Sequence, residues 1–320
     1  MQWIKALALL AATLAFANSS MAYDESPLQM PGPLGPLSAT LLSARELAPV
    51  VILVPGSGAT DRNGNNKASG LRPFTFKLLA ERLADQGISS LRIDKRGVRD
   101  SAGAIADANQ VTIDDYASDV RAWVTTLRKR EPLVPVWLLG HSQGGLIAML
   151  AAQDNPDING VILAASAGRP LATIMIEQLQ AHPENAPLVE PGIALIRRLE
   201  AGETIANGQI QEELKPLLRQ EVQGLIRSEM VRDPAQLIAT LKQPVLIIQG
   251  GQDLQITPVD ARALQQGQAT ARLVLLERAN HVFKDVPKSD RAANLAAYSD
   301  PRLPLAEGLA EAVGEFVLGH

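Results

Sequence analysis

One stretch restricts the possible folds of this chain more than any other. Val134-Pro135-Val136-Trp137-Leu138-Leu139 is a short apolar run, and Gly140-His141-Ser142-Gln143-Gly144-Gly145 is an abrupt glycine-rich break. Leu146-Ile147-Ala148-Met149-Leu150-Ala151-Ala152 follows, built of strong helix formers. The pattern reads as a strand, one sharp turn carrying a serine, and a helix, the context in which G-x-S-x-G presents a serine hydroxyl at the end of a sheet strand. The flanking glycines have no Cβ to clash, so the turn can be tight and the helix can approach the strand closely.

The surrounding chain repeats this alternation. Val50–Val54 is a run of Val, Ile and Leu bounded by Pro49 and Pro55, the mark of a strand buried on both faces. Residues 73–86 place Phe76, Leu79, Ala80 and Leu83 on one helical face, with Gly87 positioned to cap the end. Ile88–Ile93 reads as a strand, and Thr112 with Asp115 opens a helix as a capping box. Arg128-Lys129-Arg130 falls in the last turn of that helix, where favourable interaction with the helix dipole accounts for it. Gly160–Ala164, Val245–Gln249 and Leu273–Leu276 are further strands, Pro258–Gln266 a helix, and Leu305–Leu318 a closing amphipathic helix. Leu37–Leu42 is a weaker first strand, and the Pro- and Gly-rich residues 23–36 read as a loose lead-in. Strands alternating with helices imply an α/β fold with a mostly parallel sheet covered on both faces.

Between residues 170 and 232 the alternation stops, and only helical periodicity remains. Ile210, Leu214, Leu217, Leu218, Val222, Leu225 and Ile226 trace a stripe that Pro216 should break or kink. Asp233-Pro234, an N-cap followed by proline at the first helical position, restarts the main pattern. The expected organisation is therefore a core over residues 23–169 and 233–320, interrupted by an all-helical insertion over residues 170–232.

Lys5, the apolar stretch Ala6–Ala17 and Ser20-Met21-Ala22 together read as an export signal peptide over residues 1–22, cleaved after Ala22. Its removal leaves no apolar stretch long enough to span a bilayer. With no cysteine anywhere, disulfides, thiolate catalysis and Cys-ligated zinc are excluded, and an exported chain of this kind suits the bacterial periplasm. A net charge of -4 with both signs scattered argues against a nucleic-acid partner.

A serine hydroxyl needs a base to take its proton, and that base needs a third group to orient it. The chain has four histidines. His141 adjoins Ser142 at a turn where neighbouring side chains diverge, so it reads as turn filler; His182 lies in the helical insertion and His320 ends the chain. His281, just past the last strand's C-terminal end, remains as the candidate base, at the sheet edge where catalytic groups gather. Asp253, after the strand Val245–Gln249 and between Ser142 and His281 in sequence, is the favoured acid. Glu277, four residues before His281, is its competitor. The oxyanion that forms during acyl transfer needs two N–H donors. Gln143, at the helix N-terminus, supplies one, and the loop Gly56-Ser57-Gly58 supplies the other, with Ser57 preferred and Gly58 next.

The order Ser142, Asp253, His281, the turn at Ser142 and the glycine loop together resemble the α/β-hydrolase superfamily over about Leu37–Leu318. Pro55-Gly56-Ser57-Gly58-Ala59-Thr60-Asp61-Arg62-Asn63-Gly64-Asn65, with Asp94-Lys95-Arg96-Gly97-Val98, resembles more narrowly a group of bacterial serine-aminopeptidase-like or dienelactone-hydrolase-like esterases. In that group Pro-Gly-Ser-Gly replaces the His-Gly of most relatives at the oxyanion loop. Asp94-Lys95-Arg96-Gly97 matches the superfamily's Asp-x-Arg-Gly turn, although Arg99 stands where a glycine is usual, and the turn reads as scaffold. The resemblance implies a helical lid, matching the insertion over residues 170–232, and neither metal nor organic cofactor. It implies an exported serine hydrolase acting on a small-molecule ester or acyl substrate through an acyl-enzyme. An aminopeptidase, drawing on Glu177, Glu184 or Glu190 to hold an ammonium, a thioesterase, and a non-catalytic binding protein are the alternatives. Nothing in the residues sets the number of subunits.

Overall fold

The computed structural model describes residues 24–181 and 183–320. The expected signal peptide over residues 1–22 and His182 lie outside the described residues. The chain begins with β1 (Asp24–Pro31), which forms an antiparallel hairpin with β2 (Pro36–Ser43). Then follow β3 (Val50–Val54), α1 (Thr75–Asp85), β4 (Ser89–Ile93), α2 (Ile113–Arg130), β5 (Val136–His141), α3 (Gln143–Ala152) and β6 (Gly160–Ala164). A helical segment carries α4 (Leu171–Gln180), α5 (Ala186–Glu200), α6 (Lys215–Leu218), α7 (Gln223–Met230) and α8 (Pro234–Ile238). β7 (Val245–Gly250), α9 (Pro258–Gly267), β8 (Arg272–Leu276), α10 (Arg291–Ala296) and α11 (Leu309–Leu318) complete the chain.

The eight strands form one sheet in the order β1-β2-β4-β3-β5-β6-β7-β8, with β3 to β8 mutually parallel. Side chains alternate between its faces. Val50, Ile52 and Val54 join Val136 and Leu138 in a core shared with α2, α3, α8 and α9, while Val51, Leu53, Trp137 and Leu139 pack beneath α1 and α11. This double burial explains why these strands are continuous apolar runs. The described residues include no helix long and apolar enough to cross a membrane.

Two expectations need correcting. Residues 24–31, read as part of a loose lead-in, form a strand. Pro27 and Pro31 signalled a loop, but β1 has a neighbour on one side only, and an edge strand tolerates proline where no donor is required. β1 is fastened by a contact invisible in its own sequence, an ion pair from Glu25 to Arg92 of β4, whose guanidinium also donates to Asn63 Oδ1 at 2.6 Å. The apolar stripe over Ile210–Ile226 is broken into short helices as expected, but the break falls after Pro216 and not at it. Pro216 occupies the first turn of α6, where its missing N–H would have no partner anyway, and the chain leaves the helix at Arg219, with φ -54° and ψ 151°.

The helical segment between β6 and β7 has a core of its own, in which Met175, Leu179, Leu195, Ile196, Leu214 and Leu218 pack together. Its restart is capped as the residues suggest: Asp233 accepts from the N–H groups of Ala235 and Gln236, and Pro234 opens α8.

Candidate active site

Ser142 stands between β5 and α3 with φ 55° and ψ -123°, a conformation that L-residues adopt only under constraint. Two backbone bonds supply the constraint: Ser142 N–H donates to Ala164 O at 2.9 Å, and Ser142 O accepts from Gly145 N–H at 2.9 Å. Two glycines make the turn possible. A Cβ at Gly140 would lie 2.1 Å from Gly144 O, and a Cβ at Gly144 would lie 2.2 Å from Val54 O. The first couples strand to helix, and the second lets α3 start directly against the end of β3.

Asp253 and His281 reach the same edge from β7 and β8. His281 Nδ1 is 2.8 Å from Asp253 Oδ2, and both side chains are buried. The carboxylate also accepts from the N–H groups of Gln255 at 2.8 Å and Ile256 at 3.0 Å, and from Gln249 Nε2 at 3.3 Å. Because the acceptor is a carboxylate, His281 Nδ1 carries the proton and Nε2 is left to receive one. No contact joins Glu277 to the His281 ring among the described residues; its carbonyl oxygen instead accepts from Gln252 Nε2 at 3.0 Å.

Ser142 and His281 line a cavity of about 200 Å³, together with Ser57, Asn66, Phe76 and Tyr298. Ser142, Ser57 and Gln143 also line a second cavity of about 530 Å³ beneath the helical segment, walled by Leu146, Met175 and Leu225. The candidate nucleophile thus stands where two chambers meet. Gln143 is the first residue of α3, so its N–H has no intrahelical acceptor, and it stands free beside Ser142. Ser57 is exposed on its loop, and its N–H likewise makes no hydrogen bond within the described residues.

The glycine loop is anchored by a buried charge pair. Arg62 donates from its backbone N–H to Asp94 Oδ1 at 2.9 Å and from Nε to Asp94 Oδ2 at 2.9 Å. The Asp94 side chain is wholly buried. Asp94 thus acts as scaffold, as does Arg96, which pairs with Asp115 and Asp119.

Lys95 does not. Its side chain turns toward the site, where Nζ donates to Gly56 O and, at 3.2 Å, to Gln143 Oε1. Gln143 Nε2 in turn donates to Glu229 Oε1 of α7 at 2.6 Å. Burial brings the Lys95 ammonium down to about 8, with Glu229 opposing the shift. Burial pushes the Glu229 carboxyl up to about 7, against the Gln143 hydrogen bond and the charge of Lys95. The turn at Lys95 is thus more than the scaffold its sequence suggests, and Glu229 joins the site from outside the sequence-based candidates. Two signals were present: Lys95 follows a strand's C-terminal end, the edge that collects functional groups, and Glu229 lies four residues after Leu225 on the apolar stripe.

His141 also departs from its reading as turn filler. It is buried between Phe76, Phe283 and His281, and its Nε2 lies 2.8 Å from His281 O. Burial, reinforced by the neighbouring His281, brings its ring down to about 3, so it is neutral and donates through Nε2. Glu177 pairs with both terminal nitrogens of Arg169 at 2.6 and 2.8 Å, Glu184 lies 3.9 Å from Arg291, and Glu190 is exposed. None of the three lines either cavity.

The chain as a whole resembles several known proteins. The chain is 27% identical over 246 residues to Esterase EstD of Thermotoga maritima, covering 73% of this chain and 54% of that protein, so it spans about half of its relative's length. It is 26% identical over 220 residues to Phospholipase YtpA of Bacillus subtilis, covering 64% of this chain and 76% of that one. Among solved structures, Est1E of Butyrivibrio proteoclasticus, determined with ferulic acid bound, superposes with a TM-score of 0.59 at 20% identity. That match covers 91% of this chain and 98% of the other. Residues 74–283, well over half of the chain, match the family described as serine aminopeptidase, S33. With this match added to the parallel sheet and its flanking helices, the chain belongs to the serine aminopeptidase S33 family of the α/β-hydrolase superfamily.

Proposed function

We propose that this protein is a serine hydrolase that transfers the acyl group of a carboxylic ester to water. The observation that carries the reading is the arrangement around one cavity: its lining includes a constrained serine at a strand–helix turn and a histidine whose Nδ1 is held by a buried aspartate. In this mechanism Ser142 Oγ attacks the ester carbonyl carbon while its proton passes to His281 Nε2. The carbonyl oxygen becomes negative between the N–H groups of Ser57 and Gln143. The intermediate collapses as the carbon–alkoxide bond breaks, and His281 returns the proton to the leaving oxygen. Water then repeats the sequence on the acyl-enzyme, releasing the acid and restoring Ser142. Asp253 does not take the proton; it fixes the His281 tautomer and stabilises the imidazolium.

The two chambers suit the two halves of an ester. The larger, mostly aliphatic chamber beneath residues 170–232 takes the acyl chain, with that helical segment serving as its lid. The smaller chamber, lined by Ser57, Thr60 and Asn66, takes a compact alcohol. The similarity to an esterase and a phospholipase supports this choice. A peptidase reading draws on Glu229, the one acidic side chain lining the larger chamber, but that carboxyl already accepts from Gln143 and burial favours its neutral form, which holds an ammonium weakly. Lys5, Ala6–Ala17 and Ser20-Met21-Ala22 support export to the bacterial periplasm, with Tyr23 as the mature N-terminus.

The test is a fluorophosphonate probe on the parent and on Ser142→Ala, beside p-nitrophenyl esters of graded length and aminoacyl-p-nitroanilides. The esterase reading expects labelling that Ser142→Ala abolishes, and turnover of the esters. Labelling that persists in the variant, or turnover confined to the anilides, would overturn it.

A further inference from the structure

We infer that Lys95 is the positioning residue of the oxyanion hole, holding both of its donors in place through one buried ammonium. The inference rests on the esterase reading above and adds to it a residue that lies outside the serine, histidine and aspartate relay.

The first donor is governed through a single peptide plane. The C=O of Gly56 and the N–H of Ser57 belong to the same planar trans unit and point in opposite directions. Lys95 Nζ holds the Gly56 oxygen from the buried side, so the Ser57 N–H is directed away from Lys95, toward the chamber that Ser57 lines. A charge-assisted bond at the oxygen also draws electron density through the amide and makes its N–H a better donor. The second donor is governed through a side chain. Lys95 Nζ binds Gln143 Oε1 at 3.2 Å while Glu229 Oε1 accepts from Gln143 Nε2 at 2.6 Å. Held at both ends, the Gln143 side chain cannot rotate away, and the first turn of α3 that bears its N–H is fixed with it.

The surroundings show that this ammonium is placed at a cost. Lys95 is 3% exposed and sits over the Tyr116 ring, 5.1 Å from its centroid. The nearest acidic group, the Glu229 carboxyl, is 7% exposed, and the two are joined through the Gln143 amide rather than by direct contact. A buried pair of this kind contributes little to stability compared with apolar side chains of equal volume. Packing alone therefore does not call for a lysine here. Holding the two N–H donors where the transition state becomes negative does, because preorganised donors in a dry site act on the transition state and spare the ground state.

The experiment compares the parent with Lys95→Met, which keeps length and volume, and with Lys95→Gln, which restores a neutral donor. Active sites are counted by fluorophosphonate labelling of Ser142, so that kcat for p-nitrophenyl butyrate is expressed per labelled site, whatever fraction of a preparation is folded. Inhibition is measured with an octyl trifluoromethyl ketone, which forms a tetrahedral adduct, and with the matching methyl ketone, which does not. Removing one oxyanion donor costs about 100- to 1,000-fold in kcat. Loss of the residue that positions two donors is expected to cost about 30- to 300-fold in Lys95→Met, with KM within about threefold. The trifluoromethyl ketone should weaken by the same factor, the methyl ketone should not change, and Lys95→Gln should fall between. A kcat per site within threefold of the parent, a loss carried by KM, or equal weakening of both ketones would overturn the assignment while leaving the esterase reading intact. A parent not labelled at Ser142 would overturn that reading, and the assignment with it.

Discussion

The ring Nε2 of His141 donates to the carbonyl oxygen of His281 across 2.8 Å, and the two imidazoles lie with their centroids 4.8 Å apart. The side chain next to the candidate nucleophile thus holds the loop that carries the candidate base. His141 is excluded from proton transfer for two reasons. Its Nε2 is occupied, and its burial favours the neutral form far below the usual histidine range.

That burial predicts a particular acid sensitivity. The folded His141 titrates at about 3, below the ordinary 6.5, so the unfolded chain binds its proton first. The resulting stability is fully present above pH 6.5 and is lost as pH falls toward 3. His141→Phe removes this dependence but leaves the His281 carbonyl without its donor, at a cost of about 1–3 kcal/mol at pH 8. Urea midpoints followed from pH 8 to pH 4 should fall less steeply in the variant than in the parent. Parallel curves would contradict the account.

Asp253 and Glu277 are separated by a pair of conservative changes. Asp253→Asn keeps the shape but offers an amide to His281 Nδ1, favouring the wrong tautomer, and should lower kcat by roughly 10,000-fold. Glu277→Gln should change kcat less than about twofold, since its carboxylate makes no contact with the ring. The reverse pattern in steady-state kinetics would transfer the role to Glu277.

Arg62 provides a test of the scaffold beneath the glycine loop. Arg62→Met leaves Asp94 buried without its cation and should destabilise the protein by about 3–5 kcal/mol in chemical denaturation. Arg62→Met combined with Asp94→Leu removes both charges and should recover part of that loss. A double variant no more stable than the single one would show that the pair's value lies outside charge compensation.

Chamber size should set acyl length. Leu225→Trp adds bulk to the larger chamber, and it should lower kcat/KM for p-nitrophenyl decanoate by about tenfold or more. p-Nitrophenyl acetate, too short to reach that wall, should be hydrolysed at a rate within about twofold of the parent. An equal loss on both esters would place the acyl chain elsewhere.

What the sequence made legible followed from how locally each feature is determined. β3, β5, β6 and β7 are buried on both faces, so their own residues announce them. The Thr112–Asp115 capping box is complete within four residues and forms as expected. His281 and Asp253 could be chosen because histidines are few and parallel strands end at one edge. β1 was illegible because Glu25 finds Arg92 at a separation of 67 residues. Lys95 was illegible for the same reason, since its partners lie 39 and 48 residues away and a buried lysine looks no different in sequence from an exposed one. Gln143 meets Glu229 across 86 residues, so the contact between the first turn of α3 and the helical segment exists only once the fold is complete.

Gly144 has a consequence that reaches past the turn it permits. It follows Gln143 directly, and its missing Cβ would strike Val54 O at 2.2 Å and Pro55 O at 2.8 Å, three and two residues before Ser57. The gap between the N–H groups of Ser57 and Gln143 is therefore gauged by an atom that is not there. A single methyl at position 144 would act as a spacer, pushing the start of α3, and with it the turn that carries Ser142, away from the end of β3.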